Sequence, residues 1–208
     1  MKQILCFGDS NTYGLIPGTL QRYDSDVRWT GILAEKLRNK DYRVIEEGLC
    51  GRTTVFDDVL RPGRKGTELL PILLESHRPL DLVVLMLGTN DCKTVYNTTA
   101  DIIGKGIEKL LDQIKSDNPH TRVLLISPIY LGEGVWEDGF DKEFNQTSVA
   151  VSKDLGRIYR KIAERRGLLY LDAAEYASPG EADREHLNET GHRLLADAIY
   201  EKLSAELF

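Results

Sequence analysis

The sequence predicts an α/β fold: a three-layer, doubly wound parallel sheet of five strands with helices on both faces. Three observations carry this reading. Five short apolar, β-branched runs alternate with longer stretches of helical spacing. The run at 81–87 (DLVVLML) is almost continuously apolar, as a strand covered on both faces must be. Right-handed crossovers between parallel neighbours then favour strand order 2-1-3-4-5, the flavodoxin-like order.

The first strand is read over 3–7 (QILCF), and the helix after it over 29–39, where Trp29, Ile32, Leu33 and Leu37 share a face. The second strand is 42–46 (YRVIE), followed by a helix over 71–77. The third strand is the central run at 81–87, and a helix over 101–116 leads to the fourth strand at 122–126 (RVLLI). A helix over 147–166 leads to the fifth strand at 168–172 (LLYLD). In the last helix Leu194, Leu195, Ala198, Ile199 and Leu203 make one stripe, with Asn188 as its N-cap. No repeat, low-complexity tract or linker interrupts the chain, so a single domain is expected over 1–208.

Composition narrows the function. Hydrophobic residues make up 41% and charged residues 29%, a globular balance. A net charge of −6 argues against nucleic acid or an anionic membrane as partner, because neither would be attracted. No apolar run approaches the ~20 residues of a membrane span, and the start MKQILCFGDS is too short in apolar residues for a signal peptide. The reading is a cytoplasmic protein. Cys6, Cys50 and Cys92 form no CxxC pair and no Cys/His cluster at zinc spacing, which fits a reducing compartment and gives no metal site. Cys50 and Cys92 adjoin the motifs below, where a reactive thiol is the lesser reading.

In an open α/β sheet the site forms beyond the C-terminal ends of the strands, here near residues 8, 47, 88, 127 and 173. His77 and His120 precede strands three and four and fall on the opposite edge. The first loop carries Gly8, Asp9 and Ser10, either a tight turn or a turn that presents a nucleophile. It is not a phosphate-binding P-loop, since Leu15 follows Gly14 where a lysine is required. It is not a G-x-S-x-G elbow either, since Thr12 stands where the last glycine belongs. The second loop (EEGLCGRTT) holds Gly48 and Gly51. Gly51 makes a turn, or presents an N–H with no side chain in the way. The third loop (LGTNDC) holds Asn90, a turn cap or a donor to a developing oxyanion, and Asp91, which can fix the loop. In the long loop from Ser127 to Asn145, Tyr130, Trp136 and Phe140 are candidate pocket or interface residues. After the fifth strand, Asp183 and His186 are spaced to face the same way on one helical turn, so that the carboxylate can hold one imidazole nitrogen. His192, with Glu189 upstream, is the rival base. Asp183 and His186 must reach back about three strand spacings, roughly 14 Å. The residues from Asp172 to Asp183 can span ~35 Å, so the reach is feasible.

Taken together, Gly8-Asp9-Ser10, Gly51, Gly88-x-Asn90-Asp91 and Asp183-x-x-His186 resemble, in order, the four blocks of the SGNH (GDSL-type) hydrolase family. The stretches RWTGILAEKL, EEGLCGRTT and PLDLVVLMLGTND resemble its bacterial arylesterase/acyltransferase branch. Two departures are visible: Asn11 and Thr12 follow the serine, and Glu46 stands where many members carry asparagine. These are expected to bear on the substrate more than on the chemistry. The resemblance implies Ser10 as nucleophile, His186 as base, Asp183 as its orienting acid, and the N–H groups of Ser10 and Gly51 with the Asn90 amide as oxyanion donors. It implies no cofactor. The function so read is a serine esterase acting on a small-molecule short-chain acyl or aryl ester. Acyl transfer or thioester cleavage through the same acyl-enzyme is the alternative, and a non-catalytic binding module is a more distant one. The branch also implies a homo-oligomer, though no interface is legible in one sequence.

Overall fold

The computed structural model describes residues 1–207. Strands β1 (Lys2–Gly8), β2 (Tyr42–Gly48), β3 (Leu82–Met86), β4 (Arg122–Ser127) and β5 (Leu169–Asp172) form one parallel sheet in the order β2-β1-β3-β4-β5. Each lies within two residues of its expected bounds. β3 is the central strand, and every residue of it is at most 2% exposed.

Alternation along the strands divides the interior into two cores. Ile4, Cys6, Val84, Met86, Leu124 and Ile126 point to one face, where they meet helices α2 (Trp29–Leu37) and α6 (Glu189–Leu207). Leu5, Phe7, Val83, Leu85 and Leu125 point to the other, covered by α3 (Gly66–Ser76), α4 (Ala100–Asp117) and α5 (Gln146–Arg166). This is the three-layer, doubly wound arrangement that the alternating pattern predicts.

The helix ends follow capping chemistry. The Thr99 side chain accepts from Ile102 N at the start of α4. Asn145 and Ser148 form a reciprocal capping box on α5, which ends at Gly167 with φ +64°. Asn188 Oδ1 accepts from Gly191 N at 2.9 Å, as its expected role at the start of α6 requires.

One helix departs from expectation. α3 begins at Gly66, five residues before the predicted start, and carries Pro71 inside it. Proline cannot donate to the carbonyl four residues back, which is that of Thr67. Gln113 Nε2 on α4 donates to this carbonyl instead, at 2.8 Å. The tertiary bond replaces what Pro71 removes, and the stripe of Leu70 and Leu74 stays buried.

At the C-terminal edge, Gly8 and Gly48 pair across β1 and β2. The short helix α1 (Ser10–Tyr13) packs directly against them. A Cβ at Gly48 would lie 2.1 Å from Tyr13 N, a backbone atom that cannot turn aside. Gly48→Ala should therefore lower stability by roughly 1–3 kcal/mol. Urea denaturation checks this through a lowered midpoint at unchanged slope.

Candidate active site

The turn after β1 sets out the first group. Asp9 Oδ1 accepts from Asn11 N at 3.0 Å and so caps α1. Ser10 then occupies the first helical position, where the backbone N–H has no helical acceptor. Its Oγ lies 2.8 Å from Nε2 of His186, and Nδ1 of His186 lies 2.8 Å from Oδ2 of Asp183. Ser10 is 4% exposed and His186 7%.

Asp183 and His186 do face each other, but not on a helical turn. Asp183 Oδ1 accepts from the N–H groups of Glu185 and His186, at 3.0 and 2.9 Å, and Arg184 between them has φ +60°. A carboxylate bonded to the backbone two and three residues ahead offers the chain an alternative to a helix. Gly18 N–H donates to Oδ2 at 2.8 Å from the far side of the site. Burial would raise the Asp183 pKa, but the His186 ring and these backbone donors outweigh it and hold the carboxyl below its ordinary value. Asp183 is thus a fixed anion against the imidazole. Burial likewise pushes the His186 pKa down, but the carboxylates of Glu185, Asp183 and Asp9 outweigh it and raise the ring above its ordinary value.

His192 has a different place. It is fully buried, its Nδ1 accepts from Trp29 N at 3.3 Å, and the Tyr23 ring stands edge-on to it at 5.3 Å. Burial pushes its pKa down to about 4, so it stays neutral and holds α2 against α6.

The loops after β2 and β3 are sewn to the first. Asn90 Nδ2 donates to Arg52 O at 3.2 Å. The Arg52 guanidinium donates to the carbonyls of Gly8 and Glu47 and lies over the Phe7 ring, 4.1 Å from its centroid. Asp91 accepts from the Thr54 N–H at 3.0 Å and from the Thr54 hydroxyl. Gly51 adopts φ +82°, and its N–H has no acceptor among the described residues. The arrangement brings Ser10, Asp183 and His186 into one hydrogen-bonded chain, with the loops of Gly51 and Asn90 alongside. Such a chain can remove the proton from a serine hydroxyl and return it to a leaving group.

Neither thiol takes part. Burial raises the pKa of both Cys50 and Cys92, and Cys92 Sγ donates to Gly88 O at 3.4 Å. Among the described residues no group of three His, Cys, Asp or Glu could hold a metal ion. His77 lies beyond the site and meets Glu47 at 3.0 Å.

Three residues near the site went unread or were read differently in the sequence. Asn11, expected to bear on substrate, is a stitch: its Oδ1 accepts from Leu187 N at 2.9 Å and its Nδ2 donates to Glu185 O at 3.4 Å. Glu46 is also structural, accepting both Nε and Nη2 of Arg28 and the Thr30 hydroxyl. Arg184 clamps the long loop after β4 to the turn of His186. It donates to Glu133 O and to Glu137 Oε2, and its guanidinium covers the Phe140 ring at 4.1 Å. Phe140 is thereby occupied by the chain itself, and Trp136 packs against the main core. Tyr130 is half-buried. An asparagine directly after the serine was the one local signal for the first of these stitches.

The model of the GDSL-like lipase/acylhydrolase family matches residues 6–194. The chain belongs to this family. Among solved structures, the inhibitor-bound aryl esterase of M. smegmatis is 35% identical with a TM-score of 0.93, over 100% of both chains. Est24, a carbohydrate acetylesterase from Sinorhizobium meliloti, is also 35% identical, with a TM-score of 0.90 over 100% of both chains. A putative arylesterase from Agrobacterium tumefaciens is 33% identical, with a TM-score of 0.86 over 100% of both. No curated protein matches the chain. Family and fold are thus those that the motif blocks and the alternating strands predict. No helix among the described residues is long and apolar enough to cross a membrane.

The two histidines should titrate apart. In an NMR titration of the ring protons, His186 should change charge above 6.5 and His192 only near 4. A His192 that titrates above His186 would exchange their places.

Proposed function

We propose that this GDSL-family chain is a serine esterase that cleaves short-chain acyl or aryl esters through an acyl-enzyme on Ser10. The observation that carries the reading is the unbroken contact from Ser10 Oγ through His186 to Asp183, at 2.8 Å in both steps. As Oγ bonds to the ester carbonyl carbon, its proton passes to Nε2 and the carbonyl electron pair moves onto oxygen. The N–H groups of Ser10 and Gly51 and the Asn90 amide take up that oxyanion. Collapse expels the alcohol, which receives the proton from Nε2. Water then repeats the sequence on the acyl-serine. Asp183 keeps the ring oriented and offsets its transient positive charge. The bond from Asn90 to Arg52 O fixes the amide beforehand, which is what makes such a donor effective.

The named neighbours, an aryl esterase and a carbohydrate acetylesterase, favour a small acyl group on varied alcohols.

Ser10→Ala should abolish turnover of phenyl acetate without loss of fold, and a fluorophosphonate probe should label the wild type at Ser10. Labelling elsewhere would remove the assignment. Asn90→Ala should lower kcat by roughly 10²–10³ with a smaller change in KM. Steady-state kinetics with p-nitrophenyl esters below their micelle concentrations should show kcat/KM highest from acetate to butyrate. A steady rise beyond about eight carbons would replace the short-chain reading, because each buried methylene is worth ~0.8 kcal/mol and only a deep cleft collects it.

A further inference from the structure

Glu185 is 6% exposed and stands one residue before the proposed base. Its Oε1 lies 3.7 Å from Nε2 of His186, the same nitrogen that meets Ser10 Oγ. No N–H or O–H among the described residues donates a hydrogen bond to its carboxyl. A largely buried carboxylate without protein donors is costly, and among the described residues the cation edge within 4 Å of it is this imidazole. The main chain around it is fixed on both sides: Glu185 N donates to Asp183 Oδ1 and Glu185 O accepts from Asn11 Nδ2.

We propose that Glu185 is a positioning residue for the base, whose carboxylate holds His186 as imidazolium in the resting site and so sets how much proton must leave before Ser10 can react. This rests on the serine-esterase reading for its consequence in rate, but not for the contact itself. In the resting pair one proton sits on Nε2 opposite the Glu185 carboxylate. Loss of that proton to solvent leaves a neutral ring, which then accepts the Ser10 proton as the Oγ–carbonyl bond forms. The imidazolium created in that step again faces Glu185. The same carboxylate therefore opposes activation at low pH and steadies the transition state at high pH.

Other charged groups face this pair. Asp183 bonds Nδ1, and Asp9 acts on the ring from the turn after β1, both favouring imidazolium. Asp141, from the loop after β4, opposes the Glu185 charge, and Lys93, from the turn after β3, favours it. Lys93 is 5% exposed and is already bonded to Glu143 Oε2 at 2.6 Å, so its charge is shared. Burial raises the carboxyl pKa of Glu185, and the two groups titrate as a unit.

The test compares wild type, Glu185→Gln and Glu185→Leu by kcat/KM for phenyl acetate from pH 5 to 10. The acid limb should move down by about one pH unit in Glu185→Gln. At one unit below the wild-type midpoint, its fraction of plateau activity should then be about fivefold higher. Its plateau at high pH should be equal or lower, so that the two profiles converge or cross. A limb in the same place in both variants overturns the proposal. The ring titration of His186 by NMR, in Ser10→Ala with and without Glu185→Gln, reads the contact without turnover. A midpoint lowered by the second substitution supports the proposal, and an unmoved midpoint overturns it even where Glu185→Gln is inactive. Failure of the wild type to cleave phenyl acetate would instead count against the esterase reading, and the ring titration would still decide the role of Glu185.

Discussion

The contact between Ser10 Oγ and His186 Nε2 joins residues 176 positions apart, and no secondary structure holds them together directly. Loops must do so, and the structure spends its buried hydrogen bonds there. Asn11 ties the serine turn to the backbone on both sides of His186. Gly18 reaches Asp183 from the opposite side, and Arg184 anchors the same turn to the loop after β4. Side-chain to backbone bonds suit this task. Each satisfies a buried polar group while it fixes a loop, and breaking one would leave a partner desolvated at ~1–3 kcal/mol.

The sheet makes this stitching possible. Because β1, β2 and β3 are adjacent and in register, their C-terminal ends release three loops side by side. Arg52 then spans two of them with one guanidinium, and Asp91 fixes Thr54 on a third contact. The site also gathers acids. Burial raises the pKa of Asp9 and of Asp91 to about 6 each, Asp183 stays ionised, and Glu185 faces the ring. Asp9, Asp183 and Glu185 around one imidazole make the charge of the site depend on pH as a whole rather than through one residue.

The fold was legible because its signals are local: apolar runs of strand length, helical stripes and caps repeat along the chain, and handed crossovers leave few orders to choose from. The start of α3 was not, because Pro71 reads as a breaker and the bond that compensates for it comes from Gln113, 42 residues further along the chain. Ser10, Gly51, Asn90, Asp183 and His186 were legible only as a set, through their order on successive loops and the family it resembles. Asn11, Arg184 and Glu185 carry no such pattern. Their roles are contacts at long sequence separation or at one nitrogen of one ring, and an Asn, an Arg or a Glu in a loop is ordinarily solvated. The Asp183–His186 spacing was right for a reason other than the one it implied, since an Asp-centred turn closes the same distance as a turn of helix.

The separation of Ser10 and His186 has a consequence for how the molecule comes into being. Chains emerge from the ribosome N-terminal end first, so Ser10 is exposed to the cell long before residue 186 exists. Throughout that interval its hydroxyl has no imidazole to accept its proton and is as unreactive as any other serine. A nascent or prematurely ended chain therefore lacks the hydrogen-bonded chain of Ser10, His186 and Asp183, and the first species to hold it is one whose turn at Asp183–His186 has already docked.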